Sequence, residues 1–348
     1  MRAVTVVPLQ AGSVDLTDLP EPPESDGPVL VETLAVGVCG TDLEIIGGQY
    51  GWAPPGETRL AIGHESIGRV LEAPAGSGVA AGDLVVAIVR RPDPVPCANC
   101  AVGEWDMCKN GQYTEWGIKE HHGYARERYR ITADFVVKVD PGLGHLGVLL
   151  EPTTVVAKAW DHIERIGKRA DWRPSKVLVT GAGPIGLLAA LLGRQRGLDV
   201  HVLDQVTDGL KPELVAALGA TYHHGSVSDA AVAADVVIEC TGVGQLIFDA
   251  MDTTATDGIV CLTGVSSGGR ELPVDAGSLN RRLVLGNDVV FGSVNANRRH
   301  YEAGAEALAA ADRDWLSRLL TRPVTLESWK DAYTRQPGDV KVTLNFAD

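Results

Sequence analysis

Cysteine, histidine and glutamate recur in this chain at spacings suited to holding a metal ion. Gly37-Val38-Cys39-Gly40-Thr41-Asp42 is followed by Gly63-His64-Glu65, and Glu151-Pro152 adds a carboxylate further on. Thiolate, imidazole and carboxylate together make a donor set suited to zinc with one coordination position left open. An open zinc beside a nicotinamide would polarise a carbonyl or alcohol oxygen. A second cluster, Cys97-x2-Cys100-x7-Cys108, suits a structural zinc, but closed sites take four ligands. Asp93 is the nearest residue able to supply an oxygen. The alternative is that these cysteines are unliganded in a degenerate site.

A different chemistry is written at Gly181-Ala182-Gly183-Pro184-Ile185-Gly186. It follows the apolar run Val177-Leu178-Val179 and opens a helical stretch, Leu187–Arg196. Glycines there permit a tight turn and let backbone amides approach a pyrophosphate at a helix N-terminus. Asp204 closes the next apolar run, Val200–Leu203, where a carboxylate holds adenosine ribose hydroxyls. A carboxylate at that place repels the extra phosphate of NADP, and Gln205 and Val206 offer no arginine to receive it. NAD is therefore expected to be preferred over NADP.

These groups need rigid elements to position them. Before Ala170 the chain is rich in glycine and proline, with short β-type runs at Val29–Val36, Ile67–Leu71, Leu84–Ile88 and Phe135–Val139. Turns such as Pro54-Pro55-Gly56 and Gly82-Asp83 separate them, which predicts a β-rich domain. After Ala170, strands alternate with helices: Glu213–Leu218 is helical, and Val236–Ile238 and Ile259–Leu262 are strands. That alternation predicts a doubly wound parallel sheet, so the class is α/β. Pro323–Phe346 returns to a mixed texture and fits as a late return to the first domain.

Composition narrows the function. The 348 residues are 45% hydrophobic and 22% charged, enough for two globular domains. A net charge of −14 argues against nucleic acid and anionic membranes as partners. No apolar run of about 18 residues is present, so no membrane span is expected. Met1–Gln10 lacks the marks of a signal peptide, and six cysteines are too few for a disulfide scaffold. The expected compartment is the cytoplasm.

With both sites in view, the chain resembles the zinc-dependent medium-chain dehydrogenase/reductase family over essentially its full length. Gly37–Asp42, Gly63–Glu65, Gly82-Asp83, the cysteine lobe and Gly181–Gly186 carry the resemblance. Within the family it is most similar to microbial glucose (aldose) 1-dehydrogenases, through Val89–Pro92, Tyr113–Ile118, His122–Tyr124, Leu150–Pro152 and Gly292–Asn295. The resemblance implies a GroES-like catalytic domain over residues 1–155 and 297–348, around a Rossmann domain over 156–296. It implies that Cys39, His64 and Glu151 surround a catalytic zinc, with Glu65 a ligand directly or through water. It places Thr41 on the substrate oxygen and Glu115, Glu151 and Asn295 on sugar hydroxyls. For the dinucleotide it implies Gly181, Gly183, Pro184, Ile185, Gly186, Asp204, Thr241, Gly242, Thr263, Ser293 and Asn295. Asp93, Cys97, Cys100 and Cys108 would hold the structural zinc, although the family lobe usually has four cysteines. The usual proton relay ends in a histidine, whereas that place here is near Glu44.

The activity expected is hydride transfer from the anomeric carbon of an aldose to NAD(P), giving a lactone. The alternatives are a related zinc dehydrogenase of a polyol, secondary alcohol, amino-sugar or cyclitol, and a non-catalytic nucleotide-binding protein. The resemblance also implies a homodimer or homotetramer, through strand pairing near Val289–Val294.

Overall fold

The computed structural model describes residues 1–266, 268 and 271–347. The chain forms two compact units, Met1–Glu151 with Ala296–Asp348, and Pro152–Asn295.

The first unit is built on a seven-stranded sheet. Its order is Val136–Lys138, Leu84–Ala87, Glu65–Glu72, Val29–Val38, Lys341–Asn345 and Leu320–Thr325, with Arg128–Ile131 also paired to Val29–Val38. Val29–Val38 is the hub. Its alternating and then continuous apolar residues bury both faces, and valine and leucine suit that setting. The late strand Lys341–Asn345 runs antiparallel beside it, with Val342 opposite Val38. A three-stranded sheet holds Arg90–Arg91, Thr114–Trp116 and Glu120–His121. Packed below are Val29, Val31, Val85, Trp116, Tyr124 and Tyr129, all buried.

The second unit is a six-stranded sheet, all neighbours parallel. Its order is Thr221–His223, Asp199–Leu203, Lys176–Thr180, Ala234–Glu239, Thr254–Leu262 and Val289–Gly292. Counted along the chain this is the 3-2-1-4-5-6 order of doubly wound nucleotide-binding sheets, whose ligands lie beyond the strands' carboxyl ends. The α/β reading is borne out, and the strands read from apolar runs are present with ends shifted by a residue or two. Thr254–Leu262 starts earlier than the run Ile259–Leu262 suggests, because Thr254 pairs with Ala234 before a register shift. Among the described residues no helix is long and apolar enough to cross a membrane.

Candidate active site

In the first unit, Cys39 directly follows the hub strand and caps the helix Gly40–Ile46. Its sulfur accepts from the Thr41 N–H at 3.3 Å, while Asp42 accepts from the Cys39 N–H at 2.9 Å. Two orphan amides of the helix start are thereby satisfied, and the sulfur is fixed at the same time. His64 Nε2 lies 3.1 Å from Cys39 Sγ. On its other side His64 Nδ1 lies 3.4 Å from Asp42 Oδ1. Asp42 is 1% exposed, so this carboxylate orients both candidate ligands from within the core. A carboxylate behind a ligating histidine fixes its tautomer and ring plane. Burial works against the His64 imidazolium, yet Cys39 and Asp42 hold its pKa well above the usual value.

Glu65 starts the neighbouring strand and sits opposite Gly37. A Cβ on Gly37 would collide with Glu65 Oε2, so the glycine makes room for the carboxylate. Both Glu65 oxygens accept from Lys341 Nζ, at 2.8 and 2.6 Å. One ligand atom each from Cys39, His64 and Glu65 lies within 4.8 Å of the others. A sulfur, a nitrogen and an oxygen so gathered fit a single zinc ion. Glu151, in the first turn of Leu150–Gly167, is not in that group. Burial lifts its pKa to about 7, with His64 and Lys341 pulling down and Glu65 and Asp42 pushing up. It therefore shares the electrostatic neighbourhood of the cluster.

Glu115 is a buried strand residue and not a solvated loop carboxylate. It sits opposite Arg90 in the sheet, and its Oε1 accepts from Arg90 Nε at 3.0 Å and lies 2.9 Å from Nη2. Arg90 in turn stacks over the Tyr113 ring at 3.8 Å.

The sulfurs of Cys97, Cys100 and Cys108 converge within 4.8 Å. Backbone N–H groups, that of Lys109 foremost, bring the Cys97 thiol down to about 6, a thiolate-favouring environment. Asp93 is not in the convergent group. Its backbone N–H bonds the Cys100 sulfur, its Oδ1 accepts from Val95, and its buried Oδ2 has no hydrogen-bond partner.

In the second unit the glycine turn follows Lys176–Thr180. Gly181 adopts φ +89°, a left-handed conformation. Gly183 faces open space, and a Cβ on Gly186 would strike the Gly181 carbonyl. The turn, the open approach and the close helix packing are thus divided among three glycines. Pro184 occupies the first turn of the helix Pro184–Gln195, and Ile185 is half-buried there. Asp204 accepts from the N–H groups of Ala182 and Val206, at 2.6 and 3.1 Å. Its Oδ2 also meets Lys211 Nζ at 3.1 Å. Gln205 and Val206 supply no cation, and the lysine comes instead from the following helix, Leu210–Ala217. Burial works against the Asp204 charge, but these donors keep its pKa below the ordinary value.

Sequence reasoning also missed Glu239. This fully buried carboxylate takes bonds from Thr180 Oγ1 at 3.2 Å, Thr241 N–H at 2.7 Å, the Thr241 hydroxyl, and Gly242 N–H at 3.1 Å. Thr263 Oγ1 donates to its backbone carbonyl at 2.8 Å. Glu239 thus ties together the strand ends that carry Gly181, Thr241, Gly242 and Thr263. Ser293 offers a buried hydroxyl without a hydrogen-bond partner, and Asn295 has φ +62°.

The family description "Glucose dehydrogenase C-terminus" matches residues 144–346, and "Alcohol dehydrogenase GroES-like domain" matches 25–141. A glucose 1-dehydrogenase of Methanocella arvoryzae is 40% identical over 359 residues, covering 99% of each chain. One from Caldivirga maquilingensis is 41% identical over 352 residues, with the same coverage. The solved glucose dehydrogenase of Haloferax mediterranei, in complex with NADP, Zn and gluconolactone, is 30% identical. It superposes with a TM-score of 0.92 and covers 100% of both chains.

Proposed function

This chain belongs to the zinc-dependent medium-chain dehydrogenase family, on its glucose dehydrogenase branch, and from that premise we propose that it oxidises a glucose-like aldose at the anomeric carbon. The hydride passes to NAD(P) and the product is a lactone. The observation that carries this reading is the convergence of Cys39, His64 and Glu65 in front of Asp42 and Lys341. When bound there, zinc supplies Lewis-acid polarisation of the anomeric oxygen. Cys39 and His64 are its protein ligands, and Glu65 and Glu151 supply the carboxylates, directly or through water. Asp42 holds His64 in the tautomer that leaves Nε2 free to ligate. Thr41, on the helix that Cys39 caps, offers a hydroxyl to the substrate oxygen. Glu115, kept rigid by Arg90, and Asn295 read other hydroxyls of the sugar, and such fixed positioning is what hydride transfer requires.

Gly181, Gly183 and Gly186 cradle the pyrophosphate, with Thr241, Gly242, Thr263 and Ser293 along the same strand ends. Asp204 receives the ribose and favours NAD over NADP, while Lys211 offsets part of its charge and keeps NADP usable. The cysteine lobe holds a second zinc, with the orphaned Asp93 Oδ2 as fourth donor. The chain assembles as a homodimer or homotetramer through the edge strand Val289–Gly292. A screen of NAD and NADP reduction over aldoses, polyols and simple alcohols, with and without added zinc, tests the activity. Zinc-dependent turnover confined to aldoses is expected. Faster turnover of simple alcohols than of any aldose would reject the reading.

A further inference from the structure

A cavity of about 250 Å³ opens in the first unit, and none of the zinc-site residues lines it. Asp26, Glu57, Trp116, His121, His122 and Arg126 do. Arg126 is only 3% exposed, and its Nε is buried without a hydrogen-bond partner. No ion pair reaches its guanidinium among the described residues. Burial brings its pKa down to about 10, so it keeps its charge at neutral pH. A buried guanidinium without an ion-pair partner is costly to the fold and points to a partner not contributed by the chain.

The other groups decide what that partner is. Asp26 exerts the strongest opposite-charge pull on Arg126, yet the two form no ion pair. Glu57 is already engaged by His122 Nε2 at 2.9 Å, and His122 Nδ1 accepts from the Ala61 N–H. His121 is held neutral, with its pKa near 4 through burial and the adjacent Arg91 and Arg126. Glu21, also on the wall, is engaged by Arg128, which leaves Arg126 and Asp26 facing the same space without an ion-pair partner.

A simple anion suits Arg126 but meets Asp26, and a simple cation has the reverse difficulty. A pyranose finds no open aromatic face, because the Trp116 ring is stacked between His121 and Tyr124, at 5.3 and 5.4 Å. A molecule carrying both charges satisfies both walls, and Pro22 and Pro54 offer it an apolar surface. We propose that this cavity is a binding site for a small α-amino acid, its carboxylate on the Arg126 guanidinium and its ammonium on Asp26. Charge-assisted bonds of this kind are the stronger class of hydrogen bond.

The test uses the zinc-loaded full chain, calorimetric titration and thermal melting. The probes are glycine, L-alanine, L-valine and L-proline at millimolar concentration, with acetate, ethylamine and glucose as controls. Saturable binding and a raised Tm are expected with amino acids and not with acetate or ethylamine. Glucose is expected to leave the cavity empty in a crystal soak. Arg126→Met should abolish amino-acid binding while melting, ligand-free, at or above the parent temperature, because an unpaired buried charge has been replaced by an apolar side chain. Asp26→Asn should weaken binding about tenfold or more, and it stands as the test if Arg126→Met does not fold. Dehydrogenase turnover should be unchanged in both. Failure of every amino acid to bind, equal binding of acetate, glucose in the cavity, or undiminished binding by the variants would overturn the proposal.

Discussion

Lys341 Nζ sits between the two carboxylate oxygens of Glu65, at 2.8 and 2.6 Å, with both side chains almost wholly out of solvent. The lysine neutralises a carboxylate that already shares its space with Cys39 and with the buried Asp42. Lys341→Met leaves that carboxylate buried without its cation, which costs about 3–5 kcal/mol. Bound zinc supplies a replacement positive charge, so the loss should be smaller in the loaded protein. Denaturant titrations with and without zinc check this, and equal losses in both would argue against metal at Glu65.

Cys39→Ala removes the only sulfur from the proposed catalytic set and undoes the cap of Gly40–Ile46. Turnover should fall by about a thousandfold, the equivalent of about 4 kcal/mol of Lewis-acid stabilisation. Cofactor affinity, measured by fluorescence, should be unchanged because that site lies in the second unit. Near-normal rates in chelator-treated buffer would remove zinc from the mechanism.

For Glu115, the conservative change is the informative one. Glu115→Gln keeps the shape but surrenders the charge that Arg90 grips. Sugar kcat/KM should drop by about 1.5–3 kcal/mol, the range for a hydrogen bond to a charged group. The cofactor KM should hold steady. A parallel rise in both KM values would show a general loss of structure in place of lost sugar contacts.

Cofactor preference turns on Asp204 and Lys211 together. NAD should be favoured in kcat/KM by at least about tenfold, or about 1.4 kcal/mol. Lys211→Ala should widen the ratio by weakening NADP, and Asp204→Ala should narrow it by weakening NAD. The arginines just beyond the second unit are already engaged, Arg298 by the carbonyls of Ala133, Asp134 and Val136 and Arg299 by Glu104. Equal or better use of NADP by the unaltered chain would reject the assignment to Asp204.

Metal analysis should give about two zinc per chain, one for each cluster of convergent ligand atoms. Asp93→Ala should release the lobe zinc more readily to chelator, leaving the Cys39 site filled. A count of one that is unaffected by Asp93→Ala would mean that the lobe is empty.

The gathering of Cys39, His64 and Glu65 was legible because they lie in two short motifs, Gly37–Asp42 and Gly63–Glu65, beside neighbouring strands. Lys341 was not, because it approaches from 276 residues away and a lysine in an alternating strand reads as solvent-facing. Arg90 and Glu115 each stood in a recognisable segment, but only the strand register sets them opposite one another. Lys211 lies beyond the residues directly after Asp204, in the helix Leu210–Ala217, and only the fold brings it back to that carboxylate. Glu239 looks like an ordinary acid ending an apolar run, and its burial is decided by three loops that meet around it. The parallel sheet was readable from alternation alone, since strand and helix periods differ.

The pairing of Lys341–Asn345 with Val29–Val38 has a consequence for biosynthesis. During vectorial synthesis the ribosome completes the hub strand, Val29–Val38, long before its neighbour, Lys341–Asn345. Until then Glu65 has no lysine, and the hub backbone from Ala35 to Val38 lacks the strand that pairs with it. The nascent first unit must wait through the whole second unit, Pro152–Asn295, which has its own core and is free to fold in the interval. Zinc captured before Lys341 is made would therefore meet an overly acidic cluster, and the strand Lys341–Asn345 delivers the charge that balances it.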